Sequence, residues 1–93
     1  MAKIHSYGSA RTAPIEYIET TATDLVVGDL ATVADGKVSK AEGEPTYLVV
    51  GKVYELNEET KIVPVVAILD DMVLESETAI TGLTKIADKL YRK

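Results

Sequence analysis

The apolar positions of this chain fall into short runs, and two of them, Tyr47 to Val50 and Ile62 to Leu69, carry apolar residues on both alternating faces. In the second run Ile62, Pro64, Val66 and Ile68 share one face, and Val63, Val65, Ala67 and Leu69 share the other. A strand with one wet face alternates apolar with polar, so a run without alternation requires cover on both sides. A chain of 93 residues supplies only part of that cover, because small domains bury a modest share of their surface. Two arrangements satisfy the pattern. Either a compact barrel closes around one face while a partner covers the other, or the chain self-associates.

The same reading places the other elements. Residues 1–14 mix small and polar groups, and Pro14 biases its predecessor toward an extended geometry. This segment reads as an arm with no core of its own, frayed unless a partner orders it. Residues 15–93 form the single domain. Ile15 and Tyr17 alternate with Glu16 as a first strand that runs into Thr20 to Thr23, and the run Leu25-Val26-Val27 is halted by Gly28-Asp29. Leu30 to Ala34 and Lys37 to Ala41 flank Asp35-Gly36, the favoured pair for a type I′ hairpin because both positions tolerate positive φ.

Glu42-Gly43-Glu44-Pro45 makes a second turn, and Thr46 to Leu56 a long strand interrupted at Gly51. A glycine inside a strand marks a bulge or the close approach of another backbone. After the turn at Asn57-Glu58-Glu59, Lys61 to Leu69 returns as a strand in which Pro64 has no N–H to donate, which requires an edge or a bulge. Met72 to Ser76 supplies another short strand. At the end Leu83, Ile86, Ala87, Leu90 and Tyr91 fall at i, i+3, i+4, i+7 and i+8, which predicts a helix near 81–92, N-capped by Thr81 and packed on the sheet. The fold class is therefore mainly β: a small barrel or sandwich of short strands with one C-terminal helix.

Charge narrows the partners. Ten Lys and Arg stand against fifteen Asp and Glu, a net charge of −5, which disfavours nucleic acid because phosphate backbones are held by cationic side chains. With no cysteine, neither a disulfide framework nor a thiolate metal site is available. Phe and Trp are absent too, so Val, Ile, Leu, Ala and five tyrosines must fill the core. The first residues lack a secretory pattern, and no apolar run approaches the ~18 residues of a membrane span, so a soluble intracellular product without membrane association is expected.

Chemistry is sparse. Nucleophilic catalysis needs a base held against a Ser, Thr or Cys, and the single histidine, His5, lies in the arm. Asp70, Asp71, Glu75 and Glu77 offer oxygens for a hard cation, but their spacing is not that of a calcium loop, and a solvated turn is the plainer reading. Gly28-Asp29 and Asp35-Gly36-Lys37 match no phosphate-binding fingerprint. Neither an enzyme nor a cofactor is expected.

The order Gly28-Asp29-Leu30 through Asp35-Gly36-Lys37-Val38, then Tyr47 to Val53, an apolar strand with Pro64, and Asp71-Met72-Val73-Leu74-Glu75 resembles the small capsid decoration, or head-stabilising, proteins of tailed bacteriophages. The resemblance covers roughly residues 15–76 and is one of turns and strands. It implies a β-rich structural protein on the outside of a capsid shell, with the major capsid protein or its own copies as partner, a three-fold ring of copies, and a place on the virion surface after assembly in the bacterial cytoplasm. It also implies that the arm joins a capsid sheet, whereas relatives end in strands where this chain reads as helix. The partner-binding residues are then Ile4, His5, Tyr7, Arg11 and Pro14 of the arm, with Val63 and Val65 of the two-faced strand. Two other readings stand beside this one: a non-viral oligomeric interaction module of a bacterial cytoplasm, and a small-ligand barrel with a pocket lined by Tyr17, Tyr47 or Tyr54.

Overall fold

The computed structural model describes residues 1–8 and 13–93. Ten strands follow in chain order: β1 (Ala2–Ser6), β2 (Ile15–Thr20), β3 (Leu30–Ala34), β4 (Lys37–Lys40), β5 (Tyr47–Val49), β6 (Tyr54–Glu55), β7 (Lys61–Ala67), β8 (Val73–Ser76), β9 (Thr84–Ala87) and β10 (Leu90–Arg92). They form a six-stranded sheet, β2-β4-β3-β5-β7-β6, and a four-stranded sheet, β1-β8-β10-β9. The larger sheet closes on itself because β2 also pairs along its whole length with β7, from Ile15↔Val66 to Thr20↔Lys61. Five strands thus make a small barrel, with β6 attached outside the ring.

Its seam is short. β2 meets β4 in parallel over Glu19↔Lys37 and Thr20↔Val38 only. There the buried Thr20 hydroxyl donates to the Val38 carbonyl at 2.7 Å and accepts from the Ala22 N–H at 3.0 Å, so a polar side chain completes the closure without an unpaired atom. The Asp35-Gly36 hairpin between β3 and β4 has the expected form, with φ of 53° and 75°.

The two faces of β7 find separate cover. Val63 and Val65 point into the barrel against Leu25, Ala31, Val38 and Val49. On the outer side Leu48 and Ile68 pack with Ala2, Leu74, Ile80 and Tyr91 of the second sheet and its connections, and Val66 packs with Ala13 and Met72. For Val63, Val65, Val66 and Ile68 the cover that the pattern demanded of a partner or a second copy comes from the chain itself. Val63 and Val65, expected at a partner interface, are fully buried in the barrel core.

Pro64 fits neither expectation simply, since β7 is an interior strand. Its carbonyl accepts from the Val50 N–H at 3.0 Å, so its nitrogen, on the same edge, faces the interval between β5 and β6 where no ladder bond is required. Gly51 lies in that interval, and a Cβ there would overlap the Pro64 ring. The glycine and the proline are one feature: the long strand read over Thr46–Leu56 is split where its backbone rides over the ring.

The C-terminal helix is overturned. Residues 84–92 form the β9–β10 hairpin, which turns at Asp88-Lys89 with Lys89 at φ 63°. A helix of about ten residues has little stability without tertiary packing. Here β8 offers an open ladder: Leu90↔Glu75 and Tyr91↔Leu74 pair, the Ser76 N–H donates to the Lys89 carbonyl at 2.8 Å, and Tyr91 enters the core. Gly82, at φ 85° beside Glu44, also interrupts the start of the supposed helix. Ile86, which a helix would have buried, is exposed.

The chain start differs from an arm without a core. Ala2–Ser6 pairs with β8, the Ala2 N–H donates to the Gly28 carbonyl at 3.0 Å, and Ala2 is buried. A chain lacking residues 1–6 leaves Leu74 and the β8 edge uncovered, and should unfold at a clearly lower urea concentration than the full chain; an unchanged midpoint would show that β1 contributes no stability. Gly51→Ala forces a methyl group against Pro64 and is expected to cost about 1–3 kcal/mol, read in the same denaturation experiment.

Candidate functional site

Because the second sheet covers β7 only toward its Val66–Ile68 end, the outer face at the other end is left open. Register identifies what lies there. Tyr17 of β2 stands opposite Pro64, Glu19 stands opposite Ile62, and Ile62 stands opposite Tyr54 of β6. The β6–β7 ladder continues past the strand ends, since the Leu56 N–H donates to the Thr60 carbonyl at 2.9 Å, and this puts Leu56 two residues beyond Tyr54 on the same face. Ile15, two residues before Tyr17, extends the row on β2.

Four of these residues are well exposed: Ile15 at 56%, Tyr17 at 61%, Tyr54 at 58% and Leu56 at 63%. Together with half-buried Ile62 they present on the order of 500 Å² of side chain, judged from the 150–250 Å² that an aromatic side chain covers. That is the size of the largest patch on an ordinary monomer, where such patches are commonly functional. The face is also rigid at its free end. Asn57 Oδ1 accepts from the Glu59 and Thr60 N–H groups, both at 2.8 Å, which fixes the hairpin tip.

Both signs of charge surround it. Glu58 and Glu59 stand exposed at the hairpin tip, exposed Lys52 stands outward beside Val53, which packs on the barrel core, and Glu55 and Lys61 pair on the opposite side of the hairpin from Tyr54. Glu19, on the face itself, is 3.9 Å from Lys37.

The residues singled out from sequence lie elsewhere. Ile4 packs against the second-sheet core, and half-buried Tyr7 against Met72 and its neighbours. His5 is held on β1 with Nδ1 3.7 Å from a Glu75 oxygen, whose other oxygen is 3.3 Å from Lys3 Nζ. Pro14 is exposed beside β2, and Arg11 lies outside the described residues. The three tyrosines of the small-ligand reading do not converge: Tyr17 and Tyr54 are on the open face, and Tyr47 packs against the barrel core. Only strand register brings Ile15, Tyr17, Tyr54, Leu56 and Ile62 together. The alternation Ile15-Glu16-Tyr17 was the available signal, and the pairing partners were not readable.

Two shallow hollows lie apart from this face. One, of about 420 Å³, lies between Met1–Lys3, Val27-Gly28 and Glu75–Glu77, and the other, of about 600 Å³, between Asp24, Lys40 and Glu42–Glu44. In the second, Lys40 Nζ is 3.2 Å from an Asp24 oxygen, and its hydrogen bond and charge hold the Asp24 carboxyl below the usual aspartate range. A lowered folded-state pKa makes the contribution of the pair to stability present above the unfolded value and lost as pH falls through the folded one. An NMR titration should place Asp24 below ordinary aspartates, and Lys40→Met should return it to their range; no change on substitution would remove Lys40 as the cause.

No protein-family model, no curated protein and no solved structure matches this chain.

Proposed function

We propose that this protein is a structural protein that binds the outside of a bacteriophage capsid shell and stabilises it, with the major capsid protein as its partner. The observation that carries the reading is the open apolar face of Ile15, Tyr17, Tyr54 and Leu56, gathered on one side of the barrel by strand register. An apolar surface that folding does not require is the mark of a binding surface. Two exposed tyrosines suit it to contact with protein, since the ring buries area while the hydroxyl keeps a polar partner. The order of turns and strands over residues 15–76 adds the capsid to what would otherwise be an unspecified partner. In this reading β1 belongs to the domain, and docking falls to the β2–β7–β6 face.

A tagged chain expressed in the source cells while a resident prophage is induced should sediment with the high-mass particles, and particles made without it should release DNA at lower temperature. If particles form and the chain stays in the soluble fraction, the function is that of a cellular interaction module and the capsid reading is lost.

A further inference from the structure

One edge of the smaller sheet carries charge of the opposite sign to the rest of the chain. Residues 84–93 hold Lys85, Lys89, Arg92 and Lys93 against Asp88, a net +3, whereas residues 1–83 hold six Lys and Arg against fourteen Asp and Glu, a net −8. None of the four cations is in an ion pair among the described residues. They lie on β9, in the turn after it and along β10. β9 ends its sheet: β10 pairs with one side of it, and no described strand pairs with the other. All four of its residues are exposed, Ile86 included, so β9 adds nothing to the hydrophobic core. Register sets cations on both sides of the sheet there. Lys85 stands opposite Tyr91, which faces the core, and Arg92 stands with Thr84 on the outer side.

We infer that the free edge of β9 takes an extended, acidic segment of a partner protein as a fifth strand of this sheet. The contact is separate from the β2–β7–β6 face and holds with or without a capsid. The register shift between β9 and β10 falls at Ile86, beside the turn, and leaves Thr84 and Lys85 regularly paired with Arg92 and Tyr91. Alternate residues of an antiparallel strand aim their backbone groups away from the partner, so one of Thr84 and Lys85 offers an N–H and a C=O to the free edge. Lysine on an edge commonly guards it against stray pairing, and here the guard selects. A second copy aligned β9 to β9 would set +3 against +3 and be repelled. A strand bearing carboxylates meets Lys85 on one side of the sheet and Arg92 on the other, because it lies about 4.8 Å from β9 and about 10 Å from β10. Its main-chain hydrogen bonds supply affinity and its side chains the specificity. A polynucleotide would leave the edge groups unpaired and face a body of −8.

The test uses the full chain and three probes: an extended peptide of alternating threonine and glutamate, the same peptide with lysine for glutamate, and the glutamate peptide with every backbone nitrogen methylated. The unmodified glutamate peptide should shift the amide NMR signals of residues 83–93 and slow hydrogen exchange at Thr84 or Lys85, which a contact of charges alone would not do. The lysine peptide should do neither, and the methylated peptide should give no protection from exchange. Raising salt from ~0.05 M to ~0.5 M should weaken the glutamate peptide by about threefold or more. Lys85→Glu with Arg92→Glu should reverse the preference between the charged peptides. Both side chains are exposed, so that variant should melt as the parent does. Equal response to the two charges, equal protection by the methylated peptide, shifts mapped to another surface, or self-association through β9 would each overturn the inference. So would an oligothymidine strand that shifts the same amides at lower concentration than the glutamate peptide.

Discussion

Everything in this fold depends on a strand that must be dry on both faces. β7 has no polar alternation to place in water, and in the structure Val63 and Val65 form the barrel interior while Val66 and Ile68 form the floor of a second layer. Hydrophobic cover in this small chain is therefore arranged around one strand, not around one cavity. The edges of β7 are used on both sides. β2 occupies one edge throughout, and β5 and β6 share the other, separated where Pro64 has no hydrogen to give and Gly51 has no side chain to collide. Two residues that weaken an ordinary strand here allow one strand to serve three neighbours.

The local elements were legible where chemistry is local. The Asp35-Gly36 hairpin, the interruption at Gly51, the turn at Asn57 and the short strand ending at Ser76 were each readable from a few residues with known backbone preferences. What was hidden is settled over distance. The helical spacing of Leu83 to Tyr91 is real, but an open ladder on β8 and a place for Tyr91 beside Leu74 outweighed a short helix. Residues 1–14 read as an arm because their composition is weak, whereas Ala2 belongs in the core once Gly28 and β8 come near. For the same reason Val63 and Val65 looked available to a partner. The pattern states that a face must be covered, and only tertiary structure names what covers it.

The open face is what remains after that covering is done. The second layer extends over β5 and the far half of β7 and stops before Ile62, so the hairpin of β6 and β7 stands beyond it with tyrosine, leucine and glutamate outward. A self-covering fold has no internal reason to leave Tyr17, Tyr54 and Leu56 in water. Their common origin in register, on β2 and on a β6–β7 hairpin far from it in sequence, also explains why no short motif announced them.

The sheet containing β8 has one more property, which concerns time. The barrel is made from the contiguous stretch 15–67, whereas β8 is flanked on one side by β1, which precedes that stretch, and on the other by β10, which follows it. The outer apolar floor of Leu48, Val66 and Ile68 is therefore covered only where the two ends of the chain meet on β8, and closures of such long sequence separation are the slow ones.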